Sequence, residues 1–504
     1  MPFWNIRSKA PDVELLKAEQ DTGGLIRALD YGADGMVRRE AALALGEQRS
    51  GAATQALIAA LEADQDAGVR RAAAIALGKI RPAEAFYPAM TALHDSDPGV
   101  RQAAVFLIGQ LGNQKGVAFL LPFLEDDEWR TRRTAVKALQ RLGWQPDGSR
   151  SAAFYFIVSE RWSACARMGR TAVGPLISVL VDPERAEDHG RAVWALGQVG
   201  DPQGIQPLAA ALGNRRADVR RLAAEALGQI GGVAVVEPLL GALKDRNEAV
   251  QWAASAGLQG LDLTGGSAQL AKGLEDDDPA VRLVAVELLG RLDDEETPAV
   301  LRQALLDDEA RVRLRAVGAL GQAGDVDAMA FALADQDTAV RVMAVRGLRQ
   351  IDDERTIGLL ARAIEDENRS VRNEGVAALA ASGSQEAVEP LCQGLLDRDA
   401  GMRRLVAETL GKLKAQEAVP ALVDACQDRH PDVRQAALVA LSRLECEDLP
   451  ELLLAACEDG DVQVRETAVG LLAGVENSER LQVLVAATHD DMAQVRETAI
   501  RSLA

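Results

Sequence analysis

The sequence predicts an all-α fold, an α–α superhelix of about fifteen two-helix repeats with one inserted helical segment. Three observations carry this. A phrase of the form V-R-x-x-A-x-x-A-L-G recurs down the 504 residues, the apolar positions within it follow a helical period, and aromatics make up only 3% of a chain dominated by Ala and Leu. Sandwiches and barrels lean on β-branched and aromatic side chains, whereas close-packed helices favour Ala and Leu.

Each element has its own signal. Aligning the copies on Ala-Leu places an Arg slot at 38, 70, 101, 132, 189, 220, 251, 282, 313, 341, 372, 403, 434, 465 and 496, with most gaps equal to 31 and one equal to 57. Within a copy, Val69, Ala73, Ala76, Leu77 and Ile80 form the stripe of an amphipathic second helix. A first helix precedes it, as in residues 206–212 and 236–243, with a proline early in it at 88, 207, 238 and 390, where proline costs least. Gly112, Gly200 and Gly324, each followed by Asn or Asp, read as left-handed helix ends. Asp66, Asp97, Asn247, Asp278, Asp337, Asn368, Asp399 and Asp461 sit four residues before the slot and suit the N-cap of the second helix. Six residues before most slots lies another Asp, from Asp64 and Asp95 to Asp459 and Asp490. The matched series reads as a structural Asp–Arg ladder within or between copies, since buried charges must be paired. The competing reading, an Arg ladder for an anionic ligand, leaves that pairing unexplained. A two-helix copy is too small to cover its own apolar faces, and stacking covers them.

The organisation follows. Residues 1–20 fall outside the register and are expected to cap the array with Phe3 and Trp4. Residues 21–142 hold repeats one to four, residues 143–171 an insertion, and residues 172–504 repeats five to fifteen. The insertion concentrates Trp144, Phe154, Tyr155, Phe156 and Trp162, and nine basic against two acidic residues lie between Trp129 and Arg170. One reading is an aromatic, cationic contact surface for an acidic partner. The other is a helix whose aromatics pack on the array. His189, preceded by Asp188, takes the place of Val-Arg and reads as a drifted ladder position.

The residues in the slot plus one and slot plus five positions give candidate partner-binding side chains. Toward the N-terminus these are Arg39, Arg71, Phe106, Arg133, Lys137, Trp194, Arg221 and Trp252; toward the C-terminus they turn to Glu408, Glu466 and Glu497. With Trp144, Tyr155 and Trp162 of the insertion they form the candidate site. The two tryptophans at 194 and 252 read equally as groove residues or as side chains buried between copies.

Asp six before Arg, Val immediately before it, Pro in the first helix and A-L-G in the second resemble HEAT repeats, most of all the subclass named after phycobilisome lyases. The resemblance spans about Asp21 to Ala504. It implies an α–α superhelix with the Val-Arg helices on its concave side, and a phycobilin lyase-like or chromophore-chaperone activity as the alternative function.

No catalytic, metal or cofactor set emerges. The four histidines lie in different copies and none is followed by Glu, the pairing that holds iron in the HEAT-repeat deoxyhypusine hydroxylases. Glycine-rich stretches such as residues 228–232 follow helices, not strands, and lack nucleotide-loop spacing. The five cysteines are odd in number and widely spaced, so they read as reduced thiols in a cytoplasmic protein. A net charge of −20 disfavours nucleic acid, and no apolar run reaches membrane-spanning length. The expected function is a non-catalytic protein-binding scaffold or adaptor, without cofactor, whose concave face takes a protein partner with an acidic segment; self-association through a terminal repeat is a further option.

Overall fold

Apolar stripes at helical spacing fold into helices, and every regular element among the described residues is helical. The computed structural model describes residues 10–475 and 478–504, so the expected cap by Phe3 and Trp4 lies outside the described residues. The chain divides into two compact units, Met1–Gly260 and Leu261–Ala504. In the first unit the second helices of the repeats are Gly35–Gln48, Ala67–Ile80, Pro98–Leu111, Trp129–Arg141, His189–Val199, Ala217–Ile230 and Glu248–Gln259. In the second unit they run from Pro279–Leu289 to Ala493–Leu503. Each is preceded by a shorter first helix, as Thr54–Ala63 precedes Ala67–Ile80. Within each unit consecutive second helices pack side by side, except across the insertion, and each first helix packs on the second helix of its own repeat.

Local chemistry sets the ends of these helices. All eight anticipated Asp and Asn residues are N-caps whose side chains accept a backbone N–H of the first turn. Pro88, Pro207, Pro238 and Pro390 are each the third residue of a first helix. In that turn a backbone N–H lacks a helical acceptor, so its loss is harmless. Gly112, Gly200 and Gly324 adopt φ of 72°, 69° and 77°, the left-handed region that favours glycine at a helix end.

Packing explains the remaining motif letters. The Ala and Leu of A-L-G are buried, as Ala76 with Leu77 and Ala226 with Leu227 show. The glycine answers a different need: a Cβ on Gly411 would lie 2.7 Å from Ala440 Cα of the next second helix, and one on Gly109 would lie 2.8 Å from Ala138 Cα. Small residues at this crossing let neighbouring second helices approach closely, burying the leucines beside them.

The ladder closes between repeats, not within them. Eleven slot arginines reach the carboxylate of the following repeat, most of them through both Nε and Nη2. Such pairs join Arg38–Asp64, Arg70–Asp95, Arg101–Asp126 and Arg220–Asp245 in the first unit. In the second they join Arg282–Asp307, Arg313–Asp335, Arg341–Asp366, Arg372–Asp397, Arg403–Asp428, Arg434–Asp459 and Arg465–Asp490. At Arg70 the two bonds measure 2.7 and 2.9 Å, while Nη1 donates to the Asp64 carbonyl of its own repeat at 2.9 Å. The same carboxylate also accepts a backbone N–H two residues on, as Asp95 accepts from Asp97 at 2.9 Å. One side chain thus ties together the turn of its own repeat and the turn of the next.

The insertion adds a layer outside this register. Arg150–Val158 packs on Leu121–Glu125 and Trp129–Arg141 on one side and on Val173–Val181 on the other. The five-residue helix Trp162–Ala166 packs on His189–Val199.

Acid stability follows from the ladder. Hydrogen bonding from the partner arginine holds the carboxyls of Asp95, Asp245 and Asp490 below the usual range against the opposing effect of burial. A group whose folded pKa lies below its unfolded value contributes stability above the unfolded pKa, and that contribution is lost as pH falls through the folded value. Thermal melts are therefore expected to be insensitive to ladder protonation between about pH 7 and 5 and to fall steeply below about pH 4, the unfolded carboxylate range. In arginine-slot variants such as Arg70→Gln the fall is expected to be shallower.

Candidate partner-binding face

In several repeats the N-terminal turn of the second helix exposes the residue after the ladder slot. Arg39, Arg71 and Arg133 occupy this place in repeats one, two and four, and all three are exposed. Arg39 lies over Gly68 and Arg71 over Gly99, each at the start of the following second helix. Lys137, one turn beyond Arg133, is also exposed. Phe106 is half-buried, its ring edge against Gly78 of the preceding second helix, where a Cβ would stand 2.7 Å from Cε1.

Repeats five to seven continue the face with aromatics. Trp252 is 70% exposed and Trp194 is 37% exposed, so neither is enclosed between copies. Arg221, between them in repeat order, is paired with Glu225 on its own helix.

The insertion aromatics lie elsewhere. Tyr155 is 5% exposed and Trp162 is 8% exposed, which removes both from any contact surface. Tyr155 meets the Trp144 ring edge-to-face at 5.4 Å, and its hydroxyl accepts from Gln140 Nε2 at 3.0 Å. Trp144 is half-buried. Packing of Arg150–Val158 between two first-helix layers draws these rings inward. What the segment leaves outside includes charge: Arg161 and Arg167 are exposed, as are Lys137 and Arg141 of the preceding helix, and among the described residues none of the four makes an ion pair.

Among the exposed aromatics that the repeat register does not mark, one stands beside this face. Trp129, 48% exposed at the start of the fourth second helix, carries the guanidinium of Arg130 at 5.5 Å and that of Arg133 at 5.7 Å from its ring centroid. It precedes the ladder slot by three residues, outside the positions read as outward-facing. The run of arginines around it was the signal.

The charge is divided unevenly. Residues 1–260 carry 30 Lys and Arg against 30 Asp and Glu, while residues 261–504 carry 26 against 46, so the chain's net −20 resides in the second unit. In the first unit, the uncompensated cations gather on the second-helix face around repeat four.

At His189 the ladder rung is built from different groups. Its Nε2 donates to the Asp182 carbonyl at 3.1 Å, and its Nδ1 lies 3.4 Å from Asn214 Nδ2, the residue that stands where other repeats have Asp. With Nε2 donating to the carbonyl, Nδ1 accepts from Asn214, and the rung keeps both bonds. Both members have changed together, and the histidine is structural. Among the described residues no group of three or more His, Cys, Asp or Glu side chains could hold a metal ion, and no helix is long and apolar enough to cross a membrane.

The repeat unit, its ladder and its glycine crossing now stand beside the known families. The family described as HEAT repeats matches residues 23–93, 87–153, 173–259, 267–334, 329–409 and 388–457. The chain belongs to the HEAT-repeat family. No curated protein sequence matches it. Among solved structures, human deoxyhypusine hydroxylase in complex with glycerol is similar at 27% identity over 48% of this chain and 95% of that one, with a TM-score of 0.23. The complex of CpcE and CpcF of phycocyanin lyase from Nostoc sp. PCC7120 is similar at 22% identity over 45% of this chain and 96% of that one, with a TM-score of 0.25. Importin beta is similar at 14% identity over 97% of this chain and 80% of that one, with a TM-score of 0.29. All three TM-scores lie below 0.5, and no function passes from these proteins to this HEAT-repeat chain.

The cysteines offer a check on the inserted layer. All five are free; Cys165, in Trp162–Ala166, is buried and burial pushes its thiol up to about 12. The thiolate is the reactive form. Iodoacetamide at pH 8 is expected to leave Cys165 unmodified in the folded protein and to alkylate it fully in urea, as read by peptide mass spectrometry.

Proposed function

We propose that this HEAT-repeat protein is a non-catalytic scaffold that binds a protein partner through the second-helix face of its first unit, and that the partner presents an acidic segment there. The observation that carries this reading is the series of exposed arginines at one register position, Arg39, Arg71 and Arg133, with exposed Trp129 on the last of these helices and exposed Trp194 and Trp252 on second helices beyond the insertion. Arginine and tryptophan are the side chains most enriched where binding energy concentrates, and a cationic face selects and steers acidic partners. The five free thiols fit a reducing cytoplasmic compartment.

The test is charge reversal. Affinity purification from the native cell, followed by mass spectrometry, is run on the wild type and on the Arg39→Glu, Arg71→Glu, Arg133→Glu triple variant. These side chains lie outside the ladder, so folding by circular dichroism is expected to be unchanged. The wild type is expected to retain a partner that the triple variant loses, with the loss reproduced by raising salt. Identical partner sets for both proteins exclude this face.

A further inference from the structure

The fourth ladder rung is incomplete. Arg132 stands in the slot of repeat four, and its Nη1 donates to the Asp126 carbonyl at 2.8 Å and the Asp127 carbonyl at 3.0 Å, as Nη1 does toward its own turn at Arg70, Arg101, Arg220 and Arg282. The guanidinium is therefore held in the ladder orientation. Its Nε and Nη2 edge, which elsewhere meets the next repeat's carboxylate, has no partner among the described residues.

The cause is the inserted layer. The first helix of repeat five, Val173–Val181, ends on Asp182, whose carboxylate accepts the Glu184 N–H two residues on, as ladder carboxylates do. Asp182 is thus the ladder aspartate of repeat five, but the insertion stands between its repeat and repeat four, and no ion pair forms. Burial is the main influence lowering the Arg132 pKa from its ordinary value; the neighbouring charge of Arg185 acts the same way, and Asp182, Asp126 and Glu184 oppose it. At Arg70 and Arg220, a carboxylate in place raises it instead. The residue before Arg132 departs from the pattern too: Thr131 replaces the usual Val, is fully buried, and its hydroxyl has no hydrogen-bond partner.

From this geometry we infer that the open edge of Arg132 is a binding site for a carboxylate side chain of the partner, which completes the rung from outside. A carboxylate fits better than a phosphate. The fork presented is the one that eleven other rungs fill with a carboxylate. The acidic neighbours Asp182 and Glu184 also repel a dianion more than a monoanion. Exposed Trp129, with Arg130 and Arg133 against its ring, sits one turn before Arg132 and supplies the apolar and cationic surroundings for the rest of an acidic peptide.

This inference rests on the scaffold reading, and one experiment separates the two. A fluorescein-labelled peptide of alternating Asp and Gly is titrated by anisotropy against full-length wild type, Arg132→Gln, Arg132→Lys and the Arg39→Glu, Arg71→Glu, Arg133→Glu variant, with inorganic phosphate as competitor. Thermal melts accompany each. Arg132→Gln is expected to weaken the peptide by about tenfold or more, and Arg132→Lys by less, since it keeps the charge but loses the fork. Neither is expected to lower the melting temperature as Arg70→Gln does, because Arg70→Gln strands the Asp95 carboxylate and Arg132 has no internal carboxylate to strand. Wild-type affinity in Arg132→Gln, with binding lost in the triple variant, overturns the Arg132 site and leaves the scaffold face standing. No binding to the wild type overturns both. A melting temperature in Arg132→Gln as low as in Arg70→Gln overturns the site by showing that Asp182 closes the rung in solution. Displacement by phosphate at concentrations that leave chloride without effect overturns the assignment to a carboxylate.

Discussion

A hairpin of two short helices has apolar surface on both flanks, and that single deficit dictates the architecture of this protein. Inside each unit one flank of an interior hairpin is covered by the preceding copy and the other by the following one, so such a hairpin is incomplete without its neighbours. The glycine crossing and the ladder serve this requirement. Gly109 and Gly411 let adjacent second helices come close enough to bury leucines such as Leu107 and Leu410. The arginine rung then fixes the rotation of one copy against the next, through a fork that accepts one geometry. Rungs of this burial are not strong stabilisers relative to an apolar substitute, but deleting one partner leaves a charge stranded and costs roughly 3–5 kcal/mol. Their effect is to penalise a wrong register.

The same constraint explains where function has room. Residues turned toward the next repeat are committed to packing or to the ladder, so variation is confined to the outward turn of the second helices and to breaks in the register. The insertion is such a break. It supplies a layer with buried aromatics and exposed arginines, and it separates Arg132 from Asp182. His189 and Asn214, one layer further on, restore a rung through hydrogen bonds between a different pair of side chains. The proposed binding face and the structural irregularity thus meet in the first unit, while the surplus negative charge is confined to the second.

Most of the fold was legible because the repeat displays each residue's role many times over. The eight N-caps, the prolines in the first turn and the left-handed glycines could each be read from a local signal whose chemistry acts within a few residues. Direction across repeats was not legible: spacing alone allowed an arginine to pair within its own copy or with the next, and only the stacking geometry decides. The insertion was hardest to read. Tyr155 and Trp162 occur once, so no periodicity told which side of their helices is covered. Composition marked them as contact residues although both pack inward. Trp194 and Trp252 left the opposite ambiguity, and their exposure resolves it. The vacancy at Arg132 was hidden for a related reason, since its slot looks ordinary until the displaced neighbour is seen.

The account stands or falls on rungs that join one copy to the next. A double-mutant cycle on Arg403 and Asp428, set against a second cycle on Arg403 and Asp397 of the same copy, measures this directly through urea unfolding of the full chain. The structure predicts a coupling free energy of about 1–3 kcal/mol for the pair spanning two repeats and a markedly smaller one for the pair within a repeat. Additivity within about 0.5 kcal/mol for Arg403 and Asp428, or stronger coupling to Asp397, would contradict it.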